Sequence, residues 1–155
     1  MRLRSVERED LPLLLAWRAD REVMQYLPSA PMSPTWEEQL AWWKTVTHRR
    51  TWMLDIWDSD NGMRPVGEVH VDTETHEVGL LIGEKSSWGK GLGHVALMAL
   101  LQRMVDLNIS LLTLWAAIHP ENTRSQRLFA SVGFVKTGVL ARNGQEEWRV
   151  QGQVG

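Results

Sequence analysis

The chain has 155 residues, of which 43% are hydrophobic and 23% charged, and its formal net charge at pH 7 is −2. That length fits a single domain, residues 1–155, with a proper core, and the charge argues against nucleic acid as a partner, because phosphate backbones are bound by clustered Lys and Arg and only Arg49-Arg50 and scattered cations are present. The absence of cysteine excludes a disulfide framework, a thiolate nucleophile and a zinc–thiolate site, and fits a reducing cytoplasm. No apolar run approaches the ~18 residues of a membrane span, and the charged N-terminus is unlike a signal peptide, so a cytoplasmic protein is expected.

In chain order, Met1 to Val6 alternates as a first strand, and residues 8–19 carry Leu11, Leu14, Leu15 and Trp17 on a short helix. A Pro/Ser-rich loop follows Met24-Gln25-Tyr26-Leu27-Pro28. Ser33 with Pro34 reads as an N-cap and first helical position, with Glu37 and Glu38 in the first turns and Trp36, Leu40 and Trp43 on one face. Five of the nine tryptophans (Trp36, Trp42, Trp43, Trp52, Trp57) fall between residues 36 and 57. Such rings serve a packed helix or an aromatic pocket wall.

Thr51 to Trp57, Pro65 to Asp72 and His76 to Ile82 read as an antiparallel meander, joined by the turns Ser59-Asp60-Asn61-Gly62 and Thr73-Glu74-Thr75. A helix follows to about Leu107, on which Val95, Met98, Leu101, Met104 and Val105 recur at helical spacing. Leu111 to Ile118 is a strong strand. Asn122 to Val132 is a helix closed by Gly133. Phe134 to Leu140 and Glu146 to Gln151 flank Asn143-Gly144, a strong hairpin signal. The helix between the strand ending near Ile82 and the strand from Leu111 implies that these two run parallel.

One stretch stands out. Trp88-Gly89-Lys90-Gly91-Leu92-Gly93-His94 lies between a strand and a helix, with three glycines in five residues. Glycines there serve an ordinary tight turn or let the backbone approach an anion at the positive end of the helix. No Gly-Lys-Ser/Thr ends the turn, and no Rossmann acidic residue follows.

Trp88-Gly89-Lys90-Gly91-Leu92-Gly93 resembles the Gln/Arg-x-x-Gly-x-Gly/Ala segment of GNAT-superfamily N-acetyltransferases, with Trp88 where many members have Gln or Arg. His119-Pro120-Glu121-Asn122-Thr123-Arg124-Ser125, running through Phe129 to Gly133-Phe134, resembles that family's later block, in which Asn-x-x-Ser/Ala opens a helix that runs into Gly-Phe. Trp17-Arg18, Tyr26-Leu27 and Trp36-Glu37-Glu38-Gln39-Leu40 are similar to the branch of ribosomal-protein alanine, aminoglycoside 6'-N- and amino-sugar acetyltransferases.

The resemblance implies an α+β fold: a mixed twisted sheet of six or seven strands with about four helices, and a V-shaped gap between the strand ending near Gly83 and strand 111–118. It implies acetyl-CoA as co-substrate, without a metal. The pantetheine arm would pair with backbone groups around Leu81, Ile82 and Gly83. The pyrophosphate would sit on Gly89, Lys90, Gly91, Leu92, Gly93 and His94 beside Trp88, with Asn122 and Ser125 touching the cofactor and Phe129 packing by its thiol end.

The implied activity is direct acetyl transfer to a primary amine in a ternary complex: a protein N-terminus, an amino sugar or aminoglycoside, or a small amine metabolite. Without cysteine an acyl-enzyme is disfavoured. Glu77 shares a strand face with Gly79 and Leu81 and is the first candidate base, with Glu68, His70 and Asp72 as a second set. Phe129 stands where many members have a tyrosine acid, so Ser125 is the substitute. That replacement also supports an alternative, a non-catalytic acyl-CoA sensor or degenerate module. Glu22, Glu37, Glu38, Asp72 and Glu74 would suit a cationic acceptor. The hairpin around Asn143-Gly144, with its Trp148, offers an edge for a homodimer.

Overall fold

A computed structural model describes residues 1–26, 35–45, 49–140 and 144–151. Within them the chain forms, in order, β1 (Arg2–Ser5), α1 (Leu11–Ala19), α2 (Trp36–Thr45), β2 (Arg49–Asp58), β3 (Gly62–Asp72), β4 (Val78–Ile82), α3 (Leu92–Asp106), β5 (Trp115–Ile118), α4 (Thr123–Ser131), β6 (Phe134–Val139) and β7 (Glu146–Val150). The strands make two sheets, β1-β2-β3-β4 and β5-β7-β6, in which every pairing is antiparallel. One parallel bridge, Glu77 to Trp115, joins them. The result is the expected α+β architecture.

Local chemistry sets the turns of the meander. The Asp58 carboxylate accepts the Asp60 N–H at 2.8 Å, and the Asp72 carboxylate accepts those of Glu74 and Thr75 at 2.8 and 2.9 Å. His76 follows with φ +65°, a turn conformation, and β4 therefore begins at Val78 rather than at His76. The Thr35 hydroxyl accepts the Glu38 N–H at 3.2 Å and caps α2; the expected cap, Ser33-Pro34, lies outside the described residues.

Two apolar clusters hold the elements. The larger buries Ala96, Leu97, Leu100, Leu101 and Met104 of α3 with Trp52, Leu54, Val69, Val71 and Val78, and reaches Ala116, Ile118, Phe129 and Phe134. Burial of each large side chain there is worth about 1.5–3 kcal/mol. The smaller one buries Leu11, Leu14 and Trp17 of α1 with Val23 and Met24 against Met53, with Leu40, Trp43, Leu81 and Trp88 at its margin.

Three expectations change. The helical spacing of Val95, Met98 and Val105 pointed to a buried face, but these three are exposed and the buried stripe is rotated to Ala96, Leu97, Leu100, Leu101 and Met104. The helix is apolar on more than one side, and the sheet selects the side. The strand expected over 111–118 shortens to Trp115–Ile118, because Leu111–Thr113 form a 3-10 turn whose N-cap Ser110 accepts the Leu112 N–H at 3.3 Å. Of the hairpin expected to offer an edge, Trp148 is on β7, which lies between β5 and β6 and is internal, so the edge strand of the hairpin is β6. Asn143 of the hairpin signal lies outside the described residues, while Gly144 has φ +64°.

Candidate active site between the splayed strands

β4 and β5 touch only at their beginnings. The Trp115 N–H donates to the His76 carbonyl at 3.3 Å, the Glu77–Trp115 bridge follows, and beyond it the two strands belong to different sheets. A wedge-shaped gap opens there. At its closed end stands half-buried Glu77.

The β3–β4 register decides which backbone groups face the gap. The Asp72 N–H donates to the Glu77 carbonyl and the Gly83 N–H to the Val66 carbonyl, each at 2.9 Å. Because an antiparallel strand alternates its bonding side residue by residue, 77, 79, 81 and 83 bond to β3, while Val78 turns toward the bridge with Trp115 and Leu80 and Ile82 turn their N–H and C=O into the gap. Of Leu81, Ile82 and Gly83, Ile82 thus offers gap-facing backbone. The other two are committed to β3, and Leu80 takes their place.

The glycine turn lies at the open end. Gly89 and Gly91 have φ +77° and +75°, and a Cβ on either would meet nothing within 4 Å, so it is the left-handed backbone and not crowding that calls for glycine. Gly91 is the N-cap of α3 and receives no side-chain cap. The first helical bond runs from the Val95 N–H to the Gly91 carbonyl at 3.2 Å, leaving the amides of Leu92, Gly93 and His94 without an acceptor inside the helix. Lys90 is exposed beside them, and a Cβ on Gly93 would come within 3.0 Å of Leu128, which reflects how closely α4 approaches. These features fit a diphosphate: free amides, the positive end of a 15-residue helix and a nearby cation.

Trp88 couples the turn to β4. Its indole N–H donates to the gap-facing Ile82 carbonyl at 2.8 Å, and the Arg124 guanidinium lies 5.1 Å from the ring centroid. The sequence reading missed Arg124; its only signal was its place between Asn122 and Ser125. At the start of α4 the Asn122 carboxamide accepts the Ser125 N–H at 3.1 Å and donates to the Ser125 hydroxyl oxygen at 3.0 Å. Asn122 is therefore a helix cap, and the Ser125 hydroxyl keeps its own proton to donate elsewhere. Phe129 is buried in the main core, edge-on to Phe134 with 5.0 Å between centroids. The His94 ring nitrogen Nδ1 lies 2.8 Å from the Ser131 hydroxyl. Tyr26 comes from beyond α1 to meet His119, just after β5, with the two rings tilted by 38° and 5.2 Å between their centres.

The sheet face turned toward α1 carries the titratable groups. Alternation and register put Arg49, Thr51 and Met53 of β2, Glu68, His70 and Asp72 of β3, and Glu77, Gly79 and Leu81 on one side. The Glu68 carboxylate lies 3.1 Å from His70 Nδ1. Burial pushes the Glu68 carboxyl up, but the charge and hydrogen bond of His70 and the charges of Arg18 and Arg49 outweigh it and hold it below the usual carboxylate range. Burial also lowers Arg18, opposed by Glu68. No group of three or more His, Cys, Asp or Glu able to hold a metal occurs among the described residues, and no helix among them is long and apolar enough to cross a membrane.

Comparison with known proteins gives a consistent picture. Residues 1–135 match the family model of the acetyltransferase (GNAT) domain. An uncharacterised protein of Methanocaldococcus jannaschii is 35% identical over 152 residues, which cover 94% of this chain and 30% of that protein, so the chain spans under a third of that relative's length. The crystal structure of a domain from Methanocaldococcus jannaschii superposes with a TM-score of 0.87 at 30% identity, covering 96% of both chains. The spermidine N-acetyltransferase of Vibrio cholerae, solved with CoA and spermine, has the same fold, with a TM-score of 0.78 at 21% identity over 96% of this chain and 92% of that one.

Proposed function

The chain belongs to the GNAT acetyltransferase family, and from that premise we propose that it transfers the acetyl group of acetyl-CoA directly to a primary amine in a ternary complex. The observation that carries this reading is the splaying of β4 from β5 beyond the Glu77–Trp115 bridge, with the uncapped, glycine-rich start of α3 at the open end. One end of the gap suits a diphosphate, and its wall suits an extended arm that pairs with Leu80 and Ile82. The α1-side face suits an acceptor.

In this reading the pyrophosphate rests on the amides from Gly89 to His94, with Lys90 and Arg124 adding charge and Trp88 holding the turn against Ile82. The thioester oxygen accepts from the N–H of Leu80 or Ile82, which supplies an oxyanion site. The Ser125 hydroxyl donates to the departing sulfur, and Phe129 backs that region from the core. Glu77 and the Glu68–His70 pair are the candidates for taking the proton of the amine. A polyamine, an amino sugar or aminoglycoside, and a protein N-terminus are the acceptor classes, the first supported by the spermine-bound neighbour.

Calorimetric titration of acetyl-CoA into the wild type and into a Gly91→Asp, Gly93→Asp variant tests the cradle. Binding to the first and its loss in the second are expected, followed by thiol release with an amine panel. No binding at millimolar acetyl-CoA overturns the reading. Binding with no turnover on any amine favours a sensor.

A further inference from the structure

We propose that His70 is the general base, oriented by Glu68, and that Gly79 is glycine in order to admit its ring. This assignment rests on the acetyltransferase reading above and adds to it the group that receives the proton.

His70 of β3 is the direct cross-strand partner of Gly79 of β4. Its imidazole leans across that position so closely that a Cβ on residue 79 would come within 2.2 Å of Cε1 and Nε2, a severe overlap with the edge of the ring. Any other residue at 79 would push the imidazole away. The neighbouring peptide carries the Leu80 N–H, which the register turns into the gap, so the Nε2 edge stands one residue from a candidate oxyanion donor. At the other side of the ring, Nδ1 lies 3.1 and 3.2 Å from the two oxygens of Glu68. An ionised carboxylate only accepts, so Nδ1 carries a proton in both the charged and the neutral ring, and it is the neutral ring that presents the Nε2 lone pair. Glu68 is a positioning residue, because it acts through the ring.

Glu77 is placed differently. It lies at the closed end of the gap, in the bridge to Trp115, two residues before Gly79 on the same face. The Glu68–His70 pair instead lies opposite Gly79 and Leu81, alongside the stretch where the strands have parted.

The acceptor ammonium gives one proton to His70 Nε2, and the freed nitrogen lone pair forms the N–C bond to the thioester carbonyl, whose π pair moves to oxygen. Collapse re-forms the carbonyl and breaks the C–S bond, with the pair leaving on sulfur. The Ser125 hydroxyl gives its proton to that sulfur and takes the second proton from nitrogen, giving amide and thiol, and His70 returns its proton to solvent.

The test compares wild type, His70→Gln, Glu68→Gln and Gly79→Ala, using acetyl-CoA with alaninamide, spermidine and kanamycin A as separate acceptors and following free thiol. If only hydrolysis of the thioester is seen, the same comparison is made on it, because water must also lose a proton. Acetyl-CoA affinity by calorimetry reports folding and an intact cradle.

The expected result is that His70→Gln binds acetyl-CoA within about twofold of wild type but turns over about a hundredfold more slowly, the scale of general-base catalysis. It also loses the acid limb of the kcat/KM profile. The charged groups that share this face are Glu68 and Asp72 on β3, Arg49 on β2 and Glu77 on β4, with Arg18 of α1 beside Glu68. Glu68→Gln removes the negative charge in contact with the ring and is expected to shift the limb toward acid. Gly79→Ala is expected to match His70→Gln, and combining the two adds little.

Turnover of His70→Gln within threefold of wild type, an unchanged acid limb, or loss of that limb in Glu77→Gln but not in His70→Gln overturns the assignment. Where His70→Gln fails to bind acetyl-CoA, Glu68→Gln decides, and an unmoved limb is then the overturning result. Wild type that binds acetyl-CoA without turnover overturns the acetyltransferase reading, and this assignment with it.

Discussion

The Trp88 indole N–H donates to the carbonyl of Ile82 at 2.8 Å, tying the glycine turn to the last residue of β4 on the gap side. The residue in the variable first position of the turn is thus a strut that fixes where the α3 amides point. Trp88→Phe keeps an aromatic ring in the margin of the smaller cluster but removes the donor. The hydrogen bond is worth about 1 kcal/mol, and calorimetry is expected to show acetyl-CoA affinity falling by about fivefold.

Gly91 tests the backbone of the cradle. At φ +75° an alanine costs about 1–2 kcal/mol, although its methyl would meet nothing. The strain is relieved by moving the turn, which misaligns the amides of residues 92–94. Gly91→Ala is expected to weaken acetyl-CoA about tenfold by calorimetry, with a smaller effect on the melting temperature.

Asn122 and Ser125 can be separated. In Ser125→Ala the backbone N–H that Asn122 caps is still present, so α4 keeps its cap and only the hydroxyl is lost. The proposal predicts a kcat about tenfold lower with unchanged acetyl-CoA affinity. Asn122→Ala removes the cap, and urea unfolding should show a loss of about 1 kcal/mol.

Arg4 holds the first strand to the first helix. Its guanidinium donates to both oxygens of Asp10 at 2.8 Å and to Asp55 at 2.7 Å, and both carboxylates are nearly buried. Arg4→Met leaves them without that cation and is expected to cost about 3 kcal/mol in urea unfolding at pH 7. Burial pushes the Asp10 carboxyl up, but hydrogen bonds from Arg4 and the Glu7 N–H and the Arg4 charge hold it below its ordinary value. The folded state therefore binds this proton less readily than the unfolded state. The resulting stability is complete above the unfolded pKa of about 4 and is lost as pH falls through the folded value. The difference between wild type and Arg4→Met should narrow when unfolding is repeated below pH 4.

Much of the fold was readable because it rests on local chemistry. The meander follows from alternation between short polar turns, and Asp72 makes one of those turns with its own carboxylate. Asn122 and Gly133 bracket α4 as cap and stop residues do. Where several solutions satisfied the same local rule, the reading failed. On α3, Val95, Met98 and Val105 kept the helical period as well as Ala96, Leu97 and Leu100, and only the position of the sheet made the second set the core. Leu111–Thr113 had strand-forming side chains, but the Ser110 turn took them.

By itself the sequence determined the strand–glycine turn–helix unit and the Asn-x-x-Ser block, because positive-φ glycines, an uncapped helix start and an Asn cap are properties of contiguous residues. It also held the titratable groups of the sheet face turned toward α1. Only the tertiary structure decided which of them meet. The β3–β4 register sets His70 against Gly79 and turns Leu80 and Ile82, not Leu81 and Gly83, toward the gap. The fold brings Arg124 to Trp88 and Tyr26 to His119. A strand has period two, so a shift of one residue exchanges every inward and outward group. That shift is fixed by packing between segments far apart in the chain, and no local pattern encodes it.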